Sequence, residues 1–166
     1  MSAPLMNLLL AFALLAANAF YVAAEFALVK SRGFRIDALA EEKRIGAALS
    51  QRILKNLEVY LACCQLGITM ASLGLGWVGE PTVAAIVRPL LAPLGLPEET
   101  IHLIAFVIGF LVFSSLHIVI GEQVPKTFAI RNPEPVSLWV AYPLHASYLV
   151  LWPLNWLLNA ASRSIL

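Results

Sequence analysis

Long apolar blocks, separated by short polar segments, cover most of this chain. The blocks occupy residues 5–29, 57–78 and 98–124. A helix needs about 20 predominantly apolar residues to cross the hydrocarbon core of a bilayer, and each block is at least that long. The pattern therefore predicts an all-α integral membrane protein in which each of these three blocks is a transmembrane helix.

Between the first two blocks, residues 33–54 form an amphipathic segment. Its apolar and charged positions are spaced as in a helix that lies on a membrane surface. Seven of the eleven Lys and Arg residues of the chain fall between Lys30 and Lys55, against three acidic residues. Because basic residues are enriched on the cytoplasmic side of membranes, we expect this segment to be cytoplasmic and the amino terminus to be external.

Two further apolar stretches have a less regular pattern. Residues 81–94 are too short, and too interrupted by proline, to cross the bilayer, so they predict a short interfacial helix on the outer side. Residues 136–158 are apolar enough to span, but they contain two prolines and five Trp or Tyr side chains, which favour the interface. From the pattern alone, this second stretch is either a fourth span or a pair of kinked helices along the membrane.

The composition agrees with insertion into a membrane. Hydrophobic residues make up 60% of the chain and the mean hydropathy is +0.82, well above the values of soluble domains. The net charge of +1 gives no indication of nucleic-acid binding, since the basic residues cluster beside a predicted span. The adjacent Cys63 and Cys64 have no metal-ligand spacing, and we interpret them as small apolar side chains.

The third block ends in the segment 121–126 (GEQVPK). Proline has no backbone N–H and crowds the carbonyl four residues earlier, so Pro125 is expected to free the carbonyl of Gly121. A freed carbonyl beside the carboxylate of Glu122, within a span, would provide oxygen ligands for a cation. The alternative is that the segment ends a helix at the interface, with Lys126 extending into the headgroup region.

Polar residues also recur on single faces of the first two predicted helices. In the first helix, Asn18 and Glu25 are seven residues apart and therefore lie on the same face. In the second helix, Gln65, Thr69 and Ser72 lie on one face. Such residues within spans indicate either hydrogen bonds between packed helices or ligands for an ion. The sequence leaves both interpretations open.

Three more polar positions in the predicted spans are candidates for chemistry. Glu25 is either an ion ligand or an interfacial carboxylate paired with Lys30. Ser115 lies seven residues before Glu122 and therefore on the same helical face. His117 is a candidate proton or metal group, or a histidine whose ring nitrogens are satisfied by hydrogen bonds in the packed helices.

Three motifs together resemble the transmembrane domain of the CorC/CNNM family, whose bacterial members are often called hemolysin-related. They are 18–28 (NAFYVAAEFAL), 65–81 (QLGITMASLGLGWVGEP) and 121–127 (GEQVPKT). The resemblance covers essentially the whole chain. It implies three spans with residues 133–162 as a juxtamembrane belt of helices, assembled as a homodimer in the bacterial inner (plasma) membrane with a cytoplasmic carboxyl terminus.

The resemblance also implies a function. Family members resemble magnesium exporters driven by sodium entry, so Mg²⁺ is the expected transported ion and Na⁺ the expected coupling ion. A cytoplasmic pair of CBS modules, which bind ATP, normally follows the membrane domain. Here the chain stops at Leu166, so we expect an isolated membrane domain without these modules. Neither an enzymatic activity nor a nucleic-acid partner is expected.

The same motifs assign candidate metal ligands. The glutamate of the family's third span corresponds to Glu122, beside the carbonyl of Gly121. The asparagine of the second span is replaced here by Ser72, with Thr69 close by.

The first span departs most from the family. The Ser-Gly-Ser-Glu of many members reads Val-Ala-Ala-Glu at residues 22–25, so the hydroxyl groups are missing. A helix break near Ala23 would leave the backbone carbonyls of Val22 and Ala23 as ligands. The residues expected to hold sodium or to support the site are Glu25, Asn18, Gln65 and Ser115.

Two other functions compete with transport. A membrane ion sensor, or a scaffold that regulates another transporter, would use the same glutamate to bind a cation without moving it. An intramembrane enzyme would have only His117 and Glu122 as candidate catalytic groups, and no nucleophile lies at a matched spacing. Ion flux in liposomes separates the sensor from the transporter.

Overall fold

The computed structural model describes residues 3–165, without the side chains of residues 3, 4, 80, 158, 159 and 161–165. Every regular element of this part of the chain is helical. In chain order the elements are α1 (Ala3–Lys30), α2 (Gly33–Glu41), α3 (Ala47–Lys55), α4 (Leu57–Leu91), a 3₁₀ turn (Ala92–Leu94), α5 (Glu98–Leu116), a π-helix (His117–Gln123), α6 (Val124–Arg131) and α7 (Pro133–Ile165).

Three helical segments are long and apolar enough to cross a membrane. Within the described residues they are Leu5–Lys30, Leu57–Leu94 and Glu98–Arg131. The predicted all-α membrane fold with three candidate spans is therefore confirmed. Helix α7 is 33 residues long but is not among the candidate spans.

The second span is longer than the sequence indicates. Helix α4 continues through Pro81 to Leu91, where we expected one helix to end at residue 78 and another to begin at residue 81. Proline removes a single intrahelical hydrogen bond, and a helix tolerates this loss when the surrounding bonds are kept. Directly after the proline, the hydroxyl of Thr82 donates to the carbonyl of Val78 at 2.6 Å. The 3₁₀ turn that follows α4 ends at Gly95, whose φ of 65° is left-handed.

The amphipathic segment and the belt also differ from expectation. Residues 33–54 form two short helices, α2 and α3, because the backbone turns through left-handed conformations at Lys43 (φ 56°) and Gly46 (φ 84°). Conversely, α7 is one helix through Pro143 and Pro153, where kinked helices were expected.

Contacts between Cα atoms divide the chain into two compact units, and the first comprises Met1–Ala19 and Thr69–Val124. Glycines of α4 allow close approach of side chains within it. A Cβ atom at Gly74 would lie 3.1 Å from a methyl group of Leu14, and one at Gly79 would overlap the ring of Phe113. The small residues of α4 thus let α1 and α5 pack closely against it.

The second unit comprises Phe20–Ile68 and Pro125–Leu166 and has its own apolar core. Cys63 and Cys64 are both fully buried in this core and form no disulfide, which agrees with their interpretation as apolar side chains. Helix α3 packs against α2 and α7. The buried members of the core are Ala23, Ala24, Ala27, Leu28, Ile53, Tyr60, Cys63, Cys64, Ala129, Val136, Val140, Ala141 and Leu144.

Candidate cation site at the π-helix

The site begins with a change of backbone hydrogen bonding in the third span. Within the π-helix each amide pairs with a carbonyl five residues earlier, and the last such bond runs from the N–H of Val124 to the carbonyl of Val119. The next amide along the chain would be that of residue 125. It would pair with the carbonyl of Ile120 in a π-helix, or with the carbonyl of Gly121 in an α-helix. Because residue 125 is proline, it has no N–H to donate to either carbonyl.

A side chain of α1 supplies the missing donor. The amide Nδ2 of Asn18 donates to the carbonyl of Gly121 at 2.9 Å. The Oδ1 of Asn18 in turn accepts a hydrogen bond of 3.1 Å from the hydroxyl of Ser72 on α4. Asn18 is 0% exposed; its bond to the Gly121 carbonyl is buried, and its bond to Ser72 is partly buried. The carbonyl of Gly121 thus accepts a side-chain donor, and Asn18 forms hydrogen bonds to both neighbouring helical segments.

Glycine is required at position 121 for this contact. A Cβ atom there would lie 2.9 Å from Cδ2 of His117, 3.0 Å from Cδ1 of Leu15 and 3.1 Å from Nδ2 of Asn18. All three distances are tighter than ordinary van der Waals contact. A larger residue would therefore push the Asn18 amide away from the carbonyl that it satisfies.

The π-helix also brings His117 and Glu122 together. Residues five apart in a regular α-helix point about 140° away from each other, whereas the wider π turn brings them towards one face. The Nε2 atom of His117 lies 3.7 Å from Oε1 of Glu122 and 3.4 Å from Oγ of Ser72. The first distance is longer than a hydrogen bond, so the carboxylate keeps its lone pairs for another partner.

Exposure distinguishes the two ionisable groups. The side chain of His117 is 19% exposed and that of Glu122 is 45% exposed. A cavity of about 80 Å³ lies against Ser72 and His117, and its wall includes Ser114 and two phenylalanine rings of α5. This volume holds several water molecules. An ion in this region could therefore reach the site with part of its hydration shell.

The donor set determines which ions fit. Among the described residues there is no group of three or more His, Cys, Asp or Glu that could hold a metal. The network instead offers one carboxylate together with hydroxyl, amide and backbone oxygens from Glu122, Ser72, Asn18 and Gly121. Hard oxygen ligands with little charge suit Mg²⁺ or Na⁺ rather than a transition metal.

The other two predicted residues of this unit are exposed. Thr69 is exposed on α4, one turn before Ser72. Ser115 is exposed on α5, two residues before the π-helix begins. The π turn changes the angular relation between Ser115 and Glu122, on which its selection from the sequence depended.

The predicted residues of the second unit have different settings. Val22 and Ala23 are buried in α1, which is continuous, so the break expected near Ala23 is not found. Alanine is the strongest helix former, and no Gly or Pro interrupts this stretch, so its carbonyls are taken by amides four residues later. Glu25 is half-buried and forms no ion pair with Lys30, and Gln65 is exposed on α4.

Sequence reasoning missed the part that His117 takes in the network. It placed His117 in the span but compared positions by α-helical spacing, in which His117 and Glu122 face apart. A pair of polar residues five apart, followed by proline, is the signal that would have indicated a π turn.

Comparison with known proteins shows relatives along nearly the whole chain. A family model described as the Cyclin M (CNNM) transmembrane N-terminal domain matches residues 9–166. The UPF0053 protein YugS of Bacillus subtilis (strain 168) is 43% identical over 158 residues, which are 95% of this chain and 37% of that protein. The UPF0053 protein YhdT of the same organism is 43% identical over 157 residues, 95% of this chain and 34% of that protein.

A more distant relative occurs in Mycobacterium tuberculosis (strain CDC 1551 / Oshkosh). The uncharacterized protein MT1889 is 35% identical over 158 residues, which are 95% of this chain and 45% of that protein. The chain thus spans less than half the length of these relatives. From the family match and these identities, the chain belongs to the CorC/CNNM (UPF0053) family of membrane proteins.

Proposed function

We propose that this chain exports Mg²⁺ across the plasma membrane, driven by Na⁺ entry, through a cation site centred on Glu122. The observation that carries the proposal is the network at the π-helix. There the half-exposed carboxylate of Glu122 lies 3.7 Å from the ring of His117, within candidate spans. His117 lies 3.4 Å from the hydroxyl of Ser72, which belongs to the hydrogen-bond chain through Asn18 to the carbonyl of residue 121. An ionisable side chain within a span costs free energy, so such residues are rare and mark ion or proton sites.

The existing hydrogen bonds are compatible with a bound cation. The hydroxyl of Ser72 directs its hydrogen at Asn18, so the lone pairs of Oγ remain directed elsewhere. The carbonyl oxygen of Gly121 accepts one bond from Asn18 and has a second lone pair. A cation could therefore take these oxygens without breaking the contacts that position them.

Mg²⁺ prefers six oxygen ligands at about 2.1 Å and gives up water reluctantly. Glu122, Ser72 and the Gly121 carbonyl would replace some of these waters, while the adjacent cavity holds others. One carboxylate leaves the bound ion with a net positive charge, which favours release once access changes. Broken helical segments that expose carbonyls to an ion are a recurring feature of transporters.

The proposal assigns the coupling Na⁺ to Glu25. This carboxylate is half-buried in the first candidate span and forms no ion pair with a described residue. We also propose that the working unit is a homodimer with its amino terminus outside, and that ATP-binding CBS modules act on it in longer relatives.

Mg²⁺ flux in proteoliposomes tests this function. The chain would be reconstituted with an internal Mg²⁺-sensitive dye, and flux measured with and without an opposing Na⁺ gradient. Glu122→Gln keeps the shape of the side chain and removes its charge. Loss of a charged ligand contact of about 3 kcal/mol predicts a fall of roughly 100-fold in apparent Mg²⁺ affinity. Glu99→Gln, an exposed carboxylate in the first turn of α5, is the matched control.

The possible results separate the candidate functions. Na⁺-dependent flux that is retained by Glu99→Gln and lost by Glu122→Gln supports the proposal. Mg²⁺ binding without flux would favour the sensor or scaffold instead. Equal flux in Glu122→Gln and the wild type would exclude Glu122 as the transport site.

A further inference from the structure

A second cavity lies in the belt, within the second unit, and has no role in the proposed transport. It has a volume of about 620 Å³. We call it the belt cavity, defined by loop residues 43–45 between α2 and α3 and by Pro135, Leu138, Trp139 and Tyr142 of α7. Its lining combines two cationic side chains with apolar and aromatic ones.

The charges of the belt cavity have one sign. Lys43 and Arg44 are the only charged residues among its lining, and neither forms an ion pair with a described side chain. Glu41 and Glu42, at the end of α2, are exposed and do not line the cavity. An anionic ligand would therefore meet two unpaired cations there.

The backbone holds these cations in a fixed loop. The N–H of Lys43 donates to the carbonyl of Ala40, and the N–H of Arg44 to that of Leu39, each at 3.0 Å. These two bonds form the Schellman pattern that ends a helix, in which the left-handed position is usually glycine. Here that position is Lys43, with φ 56°. Lysine thus occupies a position where glycine, which has no Cβ atom, would be easier to accommodate.

The other lining residues belong to the membrane interface. Ile45 is 88% exposed, and Trp139 and Tyr142 are 70% and 60% exposed. Tryptophan and tyrosine are enriched where a bilayer meets water. The loop belongs to the segment that connects the ends of two candidate spans, Lys30 and Leu57, so it lies close to the membrane surface.

We propose that the belt cavity binds the phosphate headgroup of an anionic phospholipid from the leaflet that the belt faces. Lys43 and Arg44 would donate charge-assisted hydrogen bonds to the phosphate oxygens. Ile45 and Trp139 would contact the upper part of the acyl chains. The mixture of unpaired cations with exposed apolar side chains fits an amphipathic ligand better than a free inorganic anion.

Lipid titration of the purified chain in detergent tests this proposal. Native mass spectrometry would measure the binding of phosphatidylglycerol, of phosphatidylcholine with the same acyl chains, and of water-soluble glycerol phosphate. The Lys43→Gln/Arg44→Gln variant removes both lining charges. The matched control, Arg52→Gln/Lys55→Gln, removes two exposed charges of α3 that do not line the cavity.

We expect the wild type to prefer phosphatidylglycerol over both other ligands. The cavity variant should lose at least about tenfold in affinity for it, as when a charge-assisted contact is removed, whereas the control should change much less. An equal loss in the control, or equal binding of phosphatidylcholine, would overturn the proposal. Binding of glycerol phosphate as tight as that of the lipid would show a soluble anion site instead.

A second variant distinguishes loss of the lipid site from misfolding of the protein. Lys43→Gly/Arg44→Gln places glycine at the left-handed position, where it is favoured, so the lipid-free protein should melt at or above the wild-type temperature. It should nevertheless lose the rise in melting temperature that phosphatidylglycerol gives the wild type. If this stable variant keeps the full rise, the belt cavity is not the lipid site.

Discussion

The buried asparagine of α1 is the point at which the account can be tested most simply by stability. Asn18→Ala removes the donor to the Gly121 carbonyl, at 2.9 Å, and the acceptor of the Ser72 hydroxyl, at 3.1 Å. Asn18 is 0% exposed; its bond to the Gly121 carbonyl is buried and its bond to Ser72 is partly buried. The adjacent proline cannot provide an alternative donor for the carbonyl.

The expected cost follows from these two contacts. A hydrogen bond between helices within a membrane contributes about 0.6 kcal/mol on average, and one in a soluble protein about 1 kcal/mol. Two such bonds amount to about 1–2 kcal/mol. A buried carbonyl left without a donor costs roughly another 1–3 kcal/mol. We therefore expect Asn18→Ala to lower the free energy of unfolding by about 2–5 kcal/mol.

Equilibrium unfolding in mixed micelles, with increasing sodium dodecyl sulfate, measures this quantity. Asn7→Ala is the matched control, because Asn7 is an exposed asparagine of the same helix. Combining Asn18→Ala with Ser72→Ala should show a coupling energy of about 0.5–1.5 kcal/mol, since the two side chains share a hydrogen bond. If Asn18→Ala is as stable as Asn7→Ala, to within about 0.5 kcal/mol, the network does not hold the π-helix in place.

The same unfolding assay checks three further predictions. Gly46→Ala should lower the free energy of unfolding by about 2–4 kcal/mol, because φ is 84° and a Cβ atom would overlap a backbone carbonyl of α7. Its control is Gly33→Ala, whose Cβ atom would meet no atom within 4 Å and which should be neutral or stabilising. Gly79→Ala should cost about 1–3 kcal/mol through overlap with a phenylalanine ring of α5, whereas Gly76→Ala has open space and should not destabilise. If the two glycine variants of either pair changed the free energy of unfolding equally, the close contacts described for Gly46 and Gly79 would be contradicted. Tyr60→Phe should cost about 1 kcal/mol, because its hydroxyl lies 2.7 Å from a ring nitrogen of a histidine in α7, and an unchanged stability would show that this bond is not formed.

The apolar pattern was sufficient to predict the spans, since a block of about 20 apolar residues has few other stable locations. It was less informative about where helices end. Pro81 suggested a boundary, but α4 continues through it because the loss of one hydrogen bond is small beside the others of a 35-residue helix. The break expected near Ala23 rested on a motif of relatives with serine and glycine, and the alanines of this chain favour a continuous helix instead.

The candidate site was predicted in part for a similar reason. Pro125 indicates a free carbonyl at Gly121 by a local rule, and in the structure this carbonyl accepts a side-chain donor. The identity of that donor depends on which residue of α1 faces residue 121, which no local rule specifies. The approach of His117 to Glu122 depends on π pairing, and the α-helical spacing used to read the sequence places them apart.

The central claim is that Mg²⁺ binds at Glu122, beside the oxygens positioned by Asn18. The most direct test is the melting temperature of the detergent-purified chain as Mg²⁺ is added, with Ca²⁺, Mn²⁺ and Na⁺ in parallel, for the wild type, Glu122→Gln and Glu99→Gln. A ligand present at about 100 times its Kd stabilises the folded state by roughly 2.7 kcal/mol. We expect a rise with Mg²⁺ in the wild type and in Glu99→Gln, and none in Glu122→Gln. The same rise in Glu122→Gln as in the wild type would contradict the claim.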